Sequence, residues 1–117
     1  MDISFNTAVS SIMAHERQLG VTADNVASVN TNGFKRARAV LQEGAAGDVR
    51  LRVKRENNPT PIDPLAAAVP EVEKSLSNVD LADEMPGLIS TTVGYKVNLN
   101  VIGARDEMIG NLLDITA

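Results

Sequence analysis

The sequence predicts a mainly α-helical protein with a long helix at each end and a small β-hairpin and a proline-rich linker between them. Three observations support this fold class: an apolar seven-residue repeat near the N-terminus, a two-residue alternation in the middle, and a second seven-residue repeat through the last third. We divide this single domain into a helix with an Asn-rich hinge (residues 1–33), a hairpin and linker (residues 34–76), and a C-terminal helix (residues 77–117).

The N-terminal helix is predicted from about Ser4 to Val29, because apolar side chains recur there every seven residues. The repeat consists of Phe5, Ile12, Leu19 and Val26. Gly20 weakens the helix by up to about 1 kcal/mol relative to alanine. The run Asn30–Gly33 is expected to end it, since asparagine and glycine tolerate the left-handed backbone conformation that closes helices.

The middle of the chain changes to a period of two, which is typical of a half-buried strand. Its apolar members are Val49, Leu51 and Val53, and the basic members are Arg50, Arg52 and Lys54. Residues Phe34–Leu41 are predicted as the second strand, joined through the turn-prone segment Gly44–Asp48. A rigid, extended linker should follow, because proline fixes the backbone and removes hydrogen-bond donors. This linker contains Asn57, Asn58, Pro59, Pro61, Asp63 and Pro64, and a short helix interrupted by Pro70 is expected at Ala66–Ser75.

The C-terminal helix carries apolar residues on two opposite sides. One side is a seven-residue repeat formed by Leu81, Leu88, Tyr95, Ile102 and Ile109, interleaved with Met85, Thr92, Leu99, Asp106 and Leu113. The opposite side carries Val93, Val97, Val101, Ala104 and Met108. A single partner helix cannot cover both sides, so this helix is predicted to have more apolar surface than one chain can bury.

The entry to this helix contains a helix-capping residue and a proline. Asp80 is expected to cap the first turn, and Asp83 is placed to favour the helix dipole. Pro86 should then cause a kink or a restart, unless the uninterrupted helix begins near Glu84. From Pro86 onward the helix would span roughly 45 Å, and the N-terminal helix about 37 Å, so the two can pair along most of their length.

Composition excludes several classes of protein. The 117 residues include only three aromatic residues, which suits elongated helices that complete their core on association. The absence of cysteine excludes a disulfide scaffold, a thiol nucleophile and a cysteine-based zinc site. The net charge of −4 does not indicate a basic nucleic-acid-binding protein, and it is too small to indicate a disordered acidic tail. The N-terminus does not resemble a cleaved secretory signal, and the polar residues of the C-terminal helix argue against a membrane span.

An enzyme is not expected. His15 is the single histidine and lies on or beside a helical seam, where a packed imidazole is much commoner than a catalyst. The adjacent acidic pairs Asp83–Glu84 and Asp106–Glu107 point to different helix sides, so neither forms an acid and base dyad. No phosphate loop, nucleophile elbow or metal-ligand spacing is present. We therefore expect no catalytic residue, cofactor, metal or small-molecule substrate.

Basic residues are concentrated around the predicted hairpin. Within residues 35–55 lie Lys35, Arg36, Arg38, Arg50, Arg52, Lys54 and Arg55. Such a face could bind nucleic-acid phosphates, so a small nucleic-acid or adaptor module is the alternative function. The nearby Glu43, Asp48 and Glu56 and the absence of interleaved aromatics argue against it. We expect instead that this face is solvated or meets an acidic neighbour, with no nucleic acid bound.

Two segments carry a resemblance to a known family. DNVASVNTNGFKR (Asp24–Arg36) resembles the signature that closes the N-terminal helix of flagellar axial proteins, a family of rod, hook and hook-associated proteins. SNVDLADEM (Ser77–Met85), GYKVN (Gly94–Asn98) and DEMIGNLLDI (Asp106–Ile115) are similar to that family's C-terminal block. The short middle most resembles the proximal-rod members, the FlgC type first and the FlgB type next. The matching motif residues are Asn25, Ala27, Asn30, Thr31, Gly33, Phe34, Lys35, Asn78, Val79, Asp80, Glu84, Met85 and Asn98.

The resemblance implies a structural subunit of the bacterial flagellar basal-body rod. In this family the terminal helices pair as an antiparallel coiled coil and pack against neighbouring subunits in a tube that transmits torque and forms the export channel. The partners implied are copies of itself, other rod subunits, ring and rod-junction proteins, and the type III export apparatus, through which subunits leave without a cleaved signal. The implied location is the rod crossing the periplasm, without membrane insertion.

The resemblance also assigns roles to the apolar residues. The intramolecular coil would consist of Phe5, Ile12, Leu19, Val26, Leu88, Tyr95, Leu99, Ile102 and Ile109. The intersubunit face would consist of Val93, Val97, Val101 and Met108. The Asn-rich motif at the end of the first helix is expected to act as a hinge, with side-chain amides closing the helix end.

Overall fold

The structure, a computed structural model, describes residues 2–57 and 76–117. Helix α1 (Asp2–Ala27) is followed by strands β1 (Ala37–Glu43) and β2 (Val49–Arg55) and by helix α2 (Leu81–Thr116). The prediction of a mainly helical protein with two long terminal helices and a small antiparallel hairpin is therefore confirmed. The predictions for the proline-rich linker and for the short helix at Ala66–Ser75 lie almost entirely outside the described residues.

The molecule is elongated. Its principal extents are 75 × 25 × 17 Å and its radius of gyration is 20.0 Å. A compact domain of this length would have a radius of gyration of about 13 Å. The difference means that the helices lie beside each other in a thin layer and cannot enclose a central core.

Helices α1 and α2 run antiparallel. The Arg105 guanidinium lies 5.1 Å from the centroid of the Phe5 ring and donates to the Ser4 hydroxyl at 3.4 Å. Further along, the His15 imidazole lies against Gly94. Because Ser4 and His15 are as far apart in α1 as Gly94 and Arg105 are in α2, one antiparallel register is kept between the two contacts. In that register α2 extends beyond the first residue of α1, while the coiled-coil packing of the two helices stays a prediction.

The hairpin folds back along α1 and does not pack on α2. At its turn, the Thr7 hydroxyl donates to the Gly47 carbonyl at 2.6 Å and the Val49 amide donates to the Ser10 hydroxyl at 3.0 Å. Gly47 has a φ of 75°, as expected for a three-residue hairpin loop that ends in a left-handed residue. The register pairs Leu41 with Leu51. Helix α1 thus contacts α2 and also both strands.

The element boundaries differ from the predictions in two places. Strand β1 begins at Ala37 and not at Phe34, because the Phe34 carbonyl and the Arg36 amide bond to Asn78, and only the Arg36 carbonyl bonds across the hairpin, to the Glu56 amide at 2.8 Å. Of the kink or restart predicted at Pro86, the restart is wrong, since α2 is one continuous helix from Leu81, and the kink stays a prediction. Its first turn is held by the predicted cap, in which the Asp80 carboxylate accepts from the Ala82 amide at 2.9 Å.

The buried residues of the described chain are small or polar. The buried apolar ones are Ala8, Ala14 and Val79, and the largest fully buried side chain is that of Asn25. The buried polar ones are Ser11, Thr22, Asn25, Ser77, Asn78, Glu84 and Thr91. Large aliphatic side chains therefore remain at the surface of the single chain, where they contribute little to its stability.

Candidate functional site

The most exposed apolar surface lies along α2. Ile89, Val93, Val97 and Val101 follow one another at intervals of four residues and are 66%, 56%, 53% and 51% exposed. Near the C-terminal end, Met108 is also exposed, at 60%. The four residues that the sequence assigned to an intersubunit face, Val93, Val97, Val101 and Met108, are all on this surface.

The residues assigned to the intramolecular coil fall into two groups. Six are partly buried: Ile12, Leu19, Val26, Leu88, Tyr95 and Ile102. Phe5, Leu99 and Ile109 are 42%, 44% and 45% exposed. Phe5 is covered on one side by Arg105, whereas Ile109 lies beyond the start of α1 and has no residue of that helix opposite it.

The side of α2 nearest to α1 shares Leu88, Tyr95 and Ile102 with the predicted seam but differs from it at most of the alternating positions. The residues of this side are Glu84, Leu88, Thr91, Tyr95, Asn98, Ile102 and Arg105, all buried or partly buried. Of the predicted alternating positions, Thr92 is partly buried, whereas Met85, Leu99, Asp106 and Leu113 are exposed. Two sets of residues can alternate with Leu88, Tyr95 and Ile102 at spacings of 4 and 3. The observed set is Glu84, Thr91, Asn98 and Arg105, and the predicted set is Met85, Thr92, Leu99 and Asp106. The polar members can face α1 because their side chains bond within α2: Thr91 donates to the Gly87 carbonyl at 2.8 Å and Asn98 to the Gly94 carbonyl at 3.0 Å.

Substitution of Gly94 tests how closely the two helices approach. A Cβ atom there would lie 2.6 Å from His15 Nε2, and the imidazole is held by Nδ1, which donates to the Ser11 carbonyl at 2.6 Å. Gly103→Ala is the matched control, because its Cβ would meet no atom within 4 Å. We expect Gly103→Ala to raise the free energy of unfolding by up to about 1 kcal/mol. Gly94→Ala should not show this gain, because its Cβ would collide with His15. Thermal unfolding measures both variants, and equal gains would contradict the close approach of His15 to Gly94.

A polar junction forms where the end of α1, the base of the hairpin and the start of α2 meet. Its first member is Asn25, which is 1% exposed. The Asn25 amide donates to the Ala37 carbonyl at 2.7 Å and accepts from the Ala37 amide at 3.0 Å. Asn25 was expected to close the helix end, but it acts instead as a strand-like partner for the outer edge of β1.

Asn78 is the second member of the polar junction. Its side-chain oxygen accepts from the Arg36 amide, and its side-chain nitrogen donates to the Glu56 carbonyl at 2.7 Å. Its backbone amide donates to the Phe34 carbonyl at 3.3 Å. Since Phe34 and Arg36 precede β1 and Glu56 follows β2, one asparagine ties both ends of the hairpin to the segment that enters α2.

Arg36 and Glu84 form an ion pair inside the junction. Arg36 Nε lies 2.8 Å from Glu84 Oε1, and the two side chains are 14% and 6% exposed. The N–H bond does not point at the carboxylate oxygen, so the contact is an ion pair without an aligned hydrogen bond. Arg36 also pairs with Asp83 at 3.1 Å and with Glu56 at 3.8 Å. Our sequence reasoning missed this role and grouped Arg36 with the surface cations, because nothing local marks a partner 48 positions away.

The other motif residues are distributed around the junction. Val79 is buried, Asp80 caps α2, and Phe34 and Lys35 are partly buried. Asn30, Thr31 and Gly33 form an exposed turn after α1, in which Gly33 has a φ of 73°. The remaining three do not belong to the junction: Ala27 ends α1 and is exposed, Met85 is exposed, and Asn98 bonds within α2.

The outward face of the hairpin is basic. The strand register places Arg38 beside Lys54, Val40 beside Arg52, and Gln42 beside Arg50 on this face. Arg38 pairs with Glu56 at 3.2 Å and Arg50 with Asp48 at 2.7 Å. The hydrogen bond from Arg50 lowers the pKa of Asp48. Arg52 and Lys54 make no ion pair with any residue in the described segments.

Metal-ligand clusters and membrane-spanning helices are both absent from the described residues. Within them, no three histidine, aspartate or glutamate side chains are grouped to hold a metal ion. No helix among them is long and apolar enough to cross a bilayer.

Two protein-family models match the chain. Residues 5–35 match the family described as flagella basal body rod protein, and residues 75–115 match the family described as flagellar basal body rod FlgEFG protein C-terminal. A comparison with curated proteins gives no match. Asn25 lies in the first matched segment, and Asn78 and Glu84 lie in the second. The polar junction therefore joins the two segments that the family models match.

Proposed function

This chain belongs to the flagellar basal-body rod protein family, whose members are structural proteins and not enzymes, and we propose that it is a subunit of the proximal rod. We infer the FlgC type first and the FlgB type next, because the middle of the chain is too short for a large outer domain. The subunit would leave through the flagellar type III exporter without a cleaved signal and join the part of the rod that crosses the periplasm.

The observation that carries this proposal is the apolar surface on α2 that the chain leaves uncovered. Val93, Val97 and Val101 are each about half exposed, with Ile89 and Met108 more so. Covering the exposed half of such a side chain contributes roughly 1 kcal/mol. The exposed halves of these five side chains therefore supply several kcal/mol to an interface and contribute nothing to the stability of the single chain. Such a distribution is typical of a protein whose core is completed by its neighbours.

In the assembled rod, α1 and α2 would pair as an antiparallel coiled coil whose contact side is lined by Leu88, Tyr95 and Ile102. The exposed side of α2 would pack on helices of adjacent copies or of other rod subunits. Repetition of this contact would produce the inner wall of a tube that transmits torque and surrounds the export channel. Ring proteins, rod-junction proteins and the export apparatus would be the further partners.

Val97→Asp tests the apolar surface. We expect this variant to fold as the parent does, because Val97 is exposed, but to fail in assembly, because a buried unpaired carboxylate costs several kcal/mol. Folding is measured by circular dichroism, and assembly by sedimentation and by electron microscopy of isolated basal bodies.

Asn32→Asp is the matched control for this test, since it adds the same charge at an exposed polar position in the turn after α1, outside the apolar surface of α2. It should assemble nearly as the parent does. Normal rods containing Val97→Asp would show that this side of α2 is not an interface, and the proposed function would lose its main support.

The nucleic-acid alternative has no support from the family matches.

A further inference from the structure

We propose that the acidic C-terminal end of α2 in one copy docks on the basic outward face of the hairpin in a second copy. This inference rests on the proposed function and deepens it, because it names the surfaces that would join neighbouring subunits. We call residues 106–117 the tail. We call the outward side chains of Arg38, Val40, Gln42, Arg50, Arg52 and Lys54 the hairpin face.

Most of the tail lies beyond the first residue of its own α1. Arg105 already lies beside Ser4 and Phe5, so the following residues of α2 extend past the first residues of that helix. Every residue from Asp106 to Ala117 is exposed. The tail is helical up to Thr116, so it projects about 15 Å as a formed helix.

The tail carries acidic residues and no basic ones. Asp106, Glu107 and Asp114 lie in it, and Arg105 is the last basic residue of the chain. Glu107 and Asp114 are seven residues apart and therefore share one side of the helix. The apolar residues lie mainly on the opposite side and are Met108, Ile109, Leu112, Leu113 and Ile115. The acidic side can thus contact one neighbour while the apolar side packs on another helix.

The hairpin face has the complementary charge. Arg52 and Lys54 are exposed and unpaired within the described residues, and the side chains of Arg38 and Arg50 are 57% and 72% exposed despite their ion pairs. The carboxylates of Glu107 and Asp114 stand about 10.5 Å apart along the helix. The cations from Arg50 to Lys54 span about 13 Å along the strand. The two charged rows are therefore similar in length and opposite in sign.

The occupant must be a second copy. The hairpin lies along α1 and turns its basic face away from that helix, whereas the tail continues the line of α2 beyond the end of α1. A continuous helix cannot bend back to reach the hairpin of its own chain. Contact between two different surfaces is heterologous, so each added copy presents a new tail and a new face. Repetition produces an open polymer, as an axial structure requires.

Charge reversal on the full chain tests the contact. The tail variant is Glu107→Lys with Asp114→Lys, and the hairpin variant is Arg52→Glu with Lys54→Glu. Each alone should weaken self-association at low salt by about tenfold, the size expected when two surface ion pairs become repulsions. An equal mixture of the two variants should restore association, because the reversed tail fits the reversed face and the two parent surfaces still fit each other.

The matched control is Glu16→Lys with Asp24→Lys, which makes the same change in net charge at exposed positions of α1. It should associate within about threefold of the parent. If the control weakens association as much as the tail variant, or if the mixture fails to recover, the tail does not dock on the hairpin face. The proposed function would survive that result. A parent chain that does not associate at all would contradict both.

Cross-linking provides a second test that leaves the charges unchanged. The chain contains no cysteine, so Asn111→Cys on the acidic side of the tail and Val40→Cys on the hairpin face introduce the only thiols. Oxidation of the doubly substituted chain should produce a ladder of oligomers linked tail to hairpin, while either single cysteine should stop at dimers. The absence of a ladder under conditions where the chain sediments as an assembly would overturn the proposal.

Discussion

Replacing Glu84 by alanine is expected to lower the free energy of unfolding by about 3 kcal/mol or more, because Arg36 would keep a largely buried charge without its nearest partner. The exposed Asp83 and the more distant Glu56 can compensate only in part, since Asp83 is largely solvated and Glu56 also pairs with Arg38. A loss of this size is a large fraction of the stability of an ordinary domain. Urea unfolding followed by circular dichroism measures it.

Asp83→Ala is the control for this prediction, because it removes a carboxylate from the same guanidinium at an exposed position. Its side chain is 63% exposed, compared with 6% for Glu84. We expect a loss below about 1 kcal/mol, the usual value of a solvated ion pair. Equal losses for Asp83→Ala and Glu84→Ala would show that burial of the Arg36 and Glu84 pair does not stabilise the junction.

Asn25→Ala is expected to cost about 2–3 kcal/mol, because it leaves both backbone groups of Ala37 without the partner that Asn25 supplies. The loss should be concentrated in the hairpin, whose outer edge this side chain holds. Hydrogen exchange should therefore show faster exchange in β1 and β2, with much smaller changes at the centre of α1. Denaturant unfolding gives the total loss.

Two other asparagine variants make this test specific. Asn25→Asp keeps the acceptor for the Ala37 amide but places a carboxylate oxygen against the Ala37 carbonyl, so it should also destabilise the hairpin. Asn30→Ala, in the exposed turn after α1, should change stability by less than about 0.5 kcal/mol. If Asn25→Ala loses as little stability as Asn30→Ala, the bonds from Asn25 to Ala37 do not stabilise the hairpin.

The helices and the hairpin could be predicted because each depends on residues that are close in sequence. The alternation of Val49, Leu51 and Val53 with basic residues marks β2, and the register places these two sets on opposite faces of the hairpin. The cap at Asp80 is equally local. Pro86 misled the prediction, because a proline in the second turn lacks one helical hydrogen bond but need not stop a helix that is capped by Asp80 and held by Arg36 at Glu84.

The side of α2 that meets α1 could not be chosen from spacing. Asn98 and the apolar Leu99 fit the same repeat beside Tyr95, and apolarity favoured Leu99. The structure leaves Leu99 exposed and Asn98 partly buried, because the Asn98 side chain donates to the Gly94 carbonyl within the helix and Gly94 admits His15. Likewise, Asn25 and Asn30 look equivalent in the motif, although only Asn25 is buried.

The amino-acid sequence alone determined which segments are helix and strand, the excess of apolar side chains on α2 and the family to which the chain is similar, because periodicity and motifs are written in near neighbours. The tertiary structure alone decided that Arg36 meets Glu84, that Asn25 holds the edge of β1, and that α2 extends past α1. Those facts depend on where distant segments come to lie, and they follow from the burial of charge and of backbone polar groups, which a linear pattern does not record.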